Sequence, residues 1–346
     1  MAEKIKGRTE IAELGEFGLI DTLTAPFKPS RKSTIKAVGD DAAVIEGSRD
    51  VAILVSTDSM LEGIDFDLTY FPPKHLGYKA VTKGISDIVA MNATPEQITL
   101  SLGISSKISV EWLRDFYSGV EFACREAEVD LVGGDTSASV TGLIINISAI
   151  GRAKKRDVVY RSGAKLNDLI CITGNLGAAY MGLQLLEREK RVLSGIAEPQ
   201  PQFEGYEYLL ERYLKPRARY DIVKSLAAEK IVPTSMIDLS DGLASDVMQI
   251  CKASGCGARI YLERIPIAKQ TSALAEEMHI DPVVAALNGG EDYQLMFTLP
   301  LEARERVAAL GCIDIIGHIT APETGAYLVT PDGSDIKLKA QGFPEP

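Results

Sequence analysis

The chain has 346 residues, 46% of them hydrophobic and 25% charged, with a formal net charge of −11. That length allows about two domains, each large enough for its own core. The negative balance argues against nucleic-acid binding, which needs a basic stripe, and no apolar run nears the ~20 residues of a membrane span.

In chain order, short apolar runs alternate with longer stretches of helical period. Strands are predicted at Val51–Ser56, Gln97–Ile104, Leu143–Ala149, Leu169–Thr173, Ala258–Ile267, Gln294–Thr298 and Ile313–Ile316. Helices are predicted at Leu76–Met91, Val110–Glu128, Ala178–Glu187, Ala218–Glu229, Leu243–Ser254 and Leu301–Leu310. In the second helix Trp112, Phe116, Val120 and Ala123 form one apolar stripe. The pattern predicts an α/β (α+β) protein of two layered halves. The strand Leu143–Ala149 runs into the basic stretch 152–157, so a boundary is expected near Gly151–Ser162, giving domains 1–152 and 153–346. The five cysteines include no CxxC pair and read as inert reduced thiols. The first residues form no apolar leader, and the expectation is a soluble, cytoplasmic protein.

Acidic motifs recur at the ends of these elements: Gly39-Asp40-Asp41, Ser56-Thr57-Asp58, Ser86-Asp87, Gly133-Gly134-Asp135, Asp238-Leu239-Ser240-Asp241 and Gly289-Gly290-Glu291-Asp292. Singly, each has an ordinary explanation as turn or cap chemistry. Asp40 and Asp41 are adjacent, so only one of them is expected to face a given site. Asp87 sits inside a helical pattern, where Asp is a poor choice without a bond or a ligand to satisfy it. Strand alternation puts Asp238 and Ser240 on one face, and Asp241 could cap the helix that follows. Carboxylates spread so widely exclude an EF-hand loop. Gathered in space they would form a hard, oxygen-only pocket suited to Mg²⁺.

The absences are informative. There is no P-loop, no His-Arg-Asp loop, no Gly-x-Ser-x-Gly elbow and no metal spacing among His75, His279 and His318. Gly174-Asn175-Leu176-Gly177 opens a helix after a strand and could hold an anion at the helix N-terminus.

In this order, with Glu13–Ile20 ahead of them and Arg161-Ser162-Gly163 between, the motifs resemble the thiamine-monophosphate kinase family, nearly end to end. The wider superfamily includes aminoimidazole ribonucleotide synthetase, selenophosphate synthetase and a hydrogenase-maturation protein. The resemblance implies an N-terminal sheet that forms a β-barrel across a homodimer interface, with a C-terminal α/β domain closing over the site. It implies several Mg²⁺ ions held by Asp41, Ser56, Thr57, Asp58, Asp87, Asp135, Asp238 and Asp241. ATP would meet Tyr117, Gly134, Asp135, Arg161 and Ser240. Tyr117 could equally be a core aromatic of its helix. Thiamine monophosphate would meet Asp65, Glu291 and the terminal Phe343. The family pattern has His where this chain reads Asp65, and Asn where Gly84 stands. The other readings are a synthetase of the same superfamily and a non-enzymatic Ca²⁺ or nucleotide sensor. No Cys precedes Cys124, as selenophosphate chemistry would need, and the chain ends Phe-Pro-Glu-Pro rather than in Cys. The implied reaction is in-line transfer of the ATP γ-phosphoryl group to thiamine monophosphate, with no general acid or base.

Overall fold

The computed structural model describes residues 11–195 and 200–340. The first half runs α1 (Ile11–Thr24), β1 (Thr34–Lys36), β2 (Ala43–Glu46), β3 (Val51–Leu61), α2 (Pro73–Ala90), β4 (Thr94–Ile104), α3 (Val110–Ala127), β5 (Asp130–Ala138) and β6 (Ile144–Lys154). Its strands form one six-stranded sheet in the order β1-β2-β3-β6-β4-β5. The second half runs β7 (Leu169–Thr173), α4 (Ala178–Leu193), α5 (Glu207–Leu214), α6 (Tyr220–Ala228), β8 (Ser235–Leu239), α7 (Leu243–Ser254) and β9 (Gly257–Tyr261). It continues with α8 (Lys269–Glu277), α9 (Pro282–Asn288), β10 (Gln294–Leu299), α10 (Arg304–Ala308), β11 (Ile313–Thr320), β12 (Ala326–Val329) and β13 (Asp335–Lys337). These strands form a seven-stranded sheet in the order β13-β12-β9-β11-β7-β10-β8. The architecture is mixed α/β, as the alternation of periods predicts.

Every predicted strand and helix has a counterpart, with shifted ends. The run Ala258–Ile267 is strand only to Tyr261 and then turns through a short 3₁₀ segment at Leu262–Arg264. Leu301–Leu310 is likewise a 3₁₀ turn followed by a short α10. The short strands β1, β2, β12 and β13 carry too few residues for alternation to register.

Helix α2 holds the molecule together. It lies on β3, β4 and β6, packs along α3, and touches β8 of the second sheet. Residues on all its sides are buried, including Leu76, Lys79, Ala80, Ile85, Ser86 and Ile88, as expected for a helix enclosed within a protein rather than laid on its surface. Glycine allows the close approach. A Cβ at Gly77 would fall 2.0 Å from the Phe116 carbonyl oxygen, one at Gly119 1.8 Å from that of Lys74, and one at Gly84 2.8 Å from the Ile147 side chain. The α3 N-terminus is capped by Ser109, whose Oγ accepts from Trp112 N at 3.2 Å. The predicted stripe packs inward, with Phe116 fully buried and stacked on Trp112 at 5.9 Å.

Replacing Gly119 with Ala forces a methyl group into the Lys74 carbonyl, and overpacking of this kind costs about 1–3 kcal/mol. Thermal denaturation of Gly119→Ala should show a lower Tm, by about 1–2 °C for each kcal/mol in a protein of this size. An unchanged Tm would show that α2 and α3 can part without loss.

Candidate active site

Three carboxylates from three elements meet where the two sheets approach. Asp41 precedes β2, Asp87 lies in the last turns of α2, and Asp238 sits near the end of β8; each offers an oxygen, and all lie within 4.8 Å of one another. The Asp87 placement explains an acid within a helix: Ser86 and Asp87 both point toward β8, and Ser86 Oγ donates to Asp238 Oδ2 at 2.5 Å. Ser240 Oγ, just past the end of β8, lies 3.4 Å from Asp238 Oδ1. Asp40 turns away, as adjacency requires, and accepts from the Arg161 backbone N–H at 3.0 Å. The Arg161 guanidinium reaches Asp41 Oδ1 through Nε at 3.0 Å and Nη2 at 2.5 Å. Asp41 Oδ2 and Asp58 Oδ2 are buried and accept no hydrogen bond.

The electrostatics match the crowding. Burial lifts Asp41 to about 7, against the pull of Arg161 and with Asp238 and Asp40 adding to the rise. Burial also lifts Asp58 and Asp238 to about 6 each. Asp87 is pushed well above the carboxylate range, first by burial and then by Asp58, Asp238 and Asp41. The Arg161 guanidinium is held charged by Asp41.

These groups open into a cavity of about 450 Å³ lined by Asp58, Asp65, Lys83, Tyr213, Asp241 and Glu291 among others. One rim carries Glu16 of α1, and Ile64 and Leu183 supply apolar surface. Asp241 lines the cavity and does not cap α7, which begins after Gly242 without a side-chain cap. Ser56 is buried and bonds the Gly84 carbonyl at 3.2 Å. Strand alternation sends Thr57 to the other face of β3, where its hydroxyl donates to Ile147 O at 3.3 Å, so its side chain does not join the carboxylates. Asp65 is fixed in its own turn, Oδ2 accepting from Leu61 N at 2.8 Å.

The Gly289–Tyr293 segment is not a solvated turn. It is clipped to β8 by Glu291 N to Ser240 O at 2.8 Å and Tyr293 N to Leu239 O at 3.0 Å. Glu291 and Tyr293 adopt left-handed backbone, φ 60° and 48°, a strain of roughly 1–3 kcal/mol each that the surrounding contacts must hold. Glu291 pairs with Lys79, a fully buried amine on α2, and accepts from Tyr293 Oη at 3.1 Å. Asp292 Oδ2 accepts from Gly177 N at 2.7 Å and Oδ1 from Ala179 N at 3.3 Å. The α4 N-terminus therefore already holds an anion, the chain's own carboxylate, which corrects the expectation of a ligand at Gly174–Gly177.

Tyr117, Gly134 and Asp135 come together elsewhere, in an open pocket with Leu100, Leu131, Gly133 and Thr136. Tyr117 is 39% exposed and meets the buried Phe116 edge-on at 5.7 Å, so it is not a core aromatic. Asp135, on exposed β5, is not among the three carboxylates that converge. Phe343 lies outside the described residues. Sequence reading missed Lys79 and Lys83, because a lysine in a helix carries no motif. It also missed Asp246, buried on α7 with Oδ2 unpartnered.

A family model for the AIR synthase related protein N-terminal domain matches residues 39–153, and one for the C-terminal domain matches residues 168–329. The thiamine-monophosphate kinase of Buchnera aphidicola subsp. Schizaphis graminum is 36% identical over 340 residues, covering 96% of this chain and 98% of that protein. The Escherichia coli K12 enzyme of the same name is 34% identical, covering 95% and 97%. The solved structure described as AaThiL complexed with AMPPCP and TMP superposes with a TM-score of 0.82 at 32% identity, covering 97% of this chain and 99% of that one. With similarity of this extent running through both halves, the chain belongs to the thiamine-monophosphate kinase family.

Proposed function

We propose that this chain phosphorylates thiamine monophosphate with ATP, giving thiamine diphosphate by direct in-line transfer. The observation that carries the reading is the convergence of Asp41, Asp87 and Asp238 beside a cavity whose described lining is rich in carboxylates and contains no cysteine or histidine. The acceptor is a phosphate oxygen, ionised at neutral pH, so no base is needed. The obstacle is repulsion between two polyanions, about 4 kcal/mol for each pair of unit charges at ~4 Å and an effective dielectric near 20. The donor set fits Mg²⁺: hard oxygens only, with Asp41 Oδ2 and Asp58 Oδ2 buried and unpartnered. Asp41, Asp58, Asp87 and Asp238 would hold the ions, with Asp241 and Asp135 at the two margins. When bound, Mg²⁺ neutralises the phosphates and stabilises charge on the transferred group. Arg161 orients Asp41, and Ser86 orients Asp238. Tyr117 and Gly134 are positioned to receive the nucleotide base and phosphates, and Glu291 to meet the aminopyrimidine. One sheet in each half supports a division into a nucleotide- and metal-binding half, 1–152, and a closing half, 153–346, with β6 running on to Lys154 across that boundary.

The second copy in this reading comes from β5. This nine-residue edge strand is exposed along its length, with Leu131 42% and Val132 57% exposed. A long exposed edge with two adjacent apolar residues invites a partner strand. Two copies pairing through their six-stranded sheets would close a barrel and cover the Gly133–Asp135 segment.

Product chromatography with ATP, thiamine monophosphate and Mg²⁺ tests the activity. Asp238→Asn should lower turnover by about two orders of magnitude or more, because it removes charge stabilisation at the reacting centre. Full turnover by this variant would remove Asp238 from the site.

Metal-free protein should be less stable at neutral than at mildly acidic pH. Asp41, Asp58 and Asp238 titrate near 7, 6 and 6 when folded, against 3.8 ordinarily, so the folded chain binds more protons between those values. Stability then falls as pH rises from about 4 to about 7. Calorimetry should give a higher metal-free Tm at about pH 5.5 than at about pH 7.5, and Mg²⁺ should raise Tm more at the higher pH. A Tm indifferent to both would defeat the cluster.

Light scattering should give the mass of a dimer, and Val132→Asp should give a monomer. A monomeric parent chain would dispose of the barrel.

A further inference from the structure

Among the described residues lining the active-site cavity, Lys83 is the only cation, facing Glu16, Asp58, Asp65, Asp87, Asp238, Asp241 and Glu291. It stands one helical turn after Lys79 on α2, yet the two amines differ completely in access. Lys79 is 0% exposed, engaged by Glu291, and covered by the rings of Tyr213 at 3.9 Å and Phe71 at 5.4 Å, so no ligand can reach it. The Lys83 side chain is 19% exposed, and its amine has one long contact, to Asp65 Oδ1 at 3.4 Å. An ammonium group has three donors, so most of its hydrogen-bonding capacity remains for something in the cavity. Asp65 cannot swing away with it, because its other oxygen is fixed to Leu61 N at 2.8 Å. A rigid carboxylate thus aims a flexible cation over the cavity.

The neighbouring residues indicate which ligand would meet this amine. Ile64, Leu183, Tyr213 and Tyr293 give the same cavity an apolar and aromatic wall suited to flat heterocycles. The pocket of Tyr117, Gly134 and Asp135 shares none of these residues. A Cβ at position 84 would fall 2.8 Å from Ile147, so the residue after Lys83 adds no side chain of its own to this wall with this packing.

We propose that Lys83 donates to the phosphate of thiamine monophosphate, with Asp65 setting the direction of its amine; this rests on the kinase reading above. Lys83 is then a substrate-binding residue and Asp65 a positioning residue. The test is calorimetric binding of thiamine monophosphate and of unphosphorylated thiamine, in Mg²⁺, to the parent chain, Lys83→Met, Lys83→Arg and Asp65→Asn. Lys83→Met should weaken thiamine monophosphate binding about ten-fold or more, the scale of a lost charge-assisted hydrogen bond, and leave thiamine binding unchanged. Lys83→Arg should restore most of that loss, Asp65→Asn should fall between, and KM for ATP should stay constant in all three. Equal loss for both ligands would mean a packing role and overturn the proposal, as would no loss, or a change confined to ATP. A parent chain that binds neither thiamine compound would overturn the substrate reading itself.

Discussion

Bringing several aspartates to one buried point is the constraint around which this molecule is arranged. Asp41, Asp87 and Asp238 come from a turn, a helix and a strand, and their oxygens lie within 4.8 Å. Isolated buried carboxylates are costly, and like-charged ones more so. The fold answers with a guanidinium on Asp41, a hydroxyl on Asp238 and raised proton affinity throughout. A structure optimised only for stability would not place them there. Their cost is consistent with a site completed by cations that the chain itself does not supply.

Helix α2 makes the convergence possible. It must lie close enough to both sheets for Asp87 to reach β8, and glycines at 77, 84 and 119 remove the side chains that would hold it off. One face of the helix then carries Lys79, Lys83 and Asp87 at i, i+4 and i+8, aligned toward the cavity. Lys79 crosses to Glu291 in the second half, and Glu291 sits in a backbone segment strained into left-handed φ. A buried ion pair of this kind adds little net stability, but breaking one side of it is expensive. Its effect is geometric: it ties the loop after α9 to the helix that bears Asp87.

The chemistry needs little more than this. Both reactants bring their own phosphate oxygens, so the protein supplies position and charge compensation rather than a nucleophile or a proton carrier. That division matches a cavity rich in carboxylates, with Lys83 its one cation among the described lining residues and the three histidines outside it.

The residues by themselves determined the class of fold, since periods of two and 3.6 follow from backbone geometry and survive in almost any surroundings. They also determined the hard-oxygen character of the site, because the ordered acidic motifs admit little other use when taken together. What they could not determine is partnership. Asp40 and Asp41 are equivalent on paper, and only packing against Arg161 sends one to the backbone and the other to the carboxylates. Gly174–Gly177 and Asp292 lie far apart in sequence, so that one fills the helix terminus offered by the other becomes visible only after β7 and β10 pair. Lys79 and Lys83 are two ordinary helical lysines one turn apart. The rings of Phe71 and Tyr213 bury the first, and the fixed carboxylate of Asp65 leaves the second reaching into the cavity. Such differences arise from contacts between distant segments, which local periodicity and spacing do not encode.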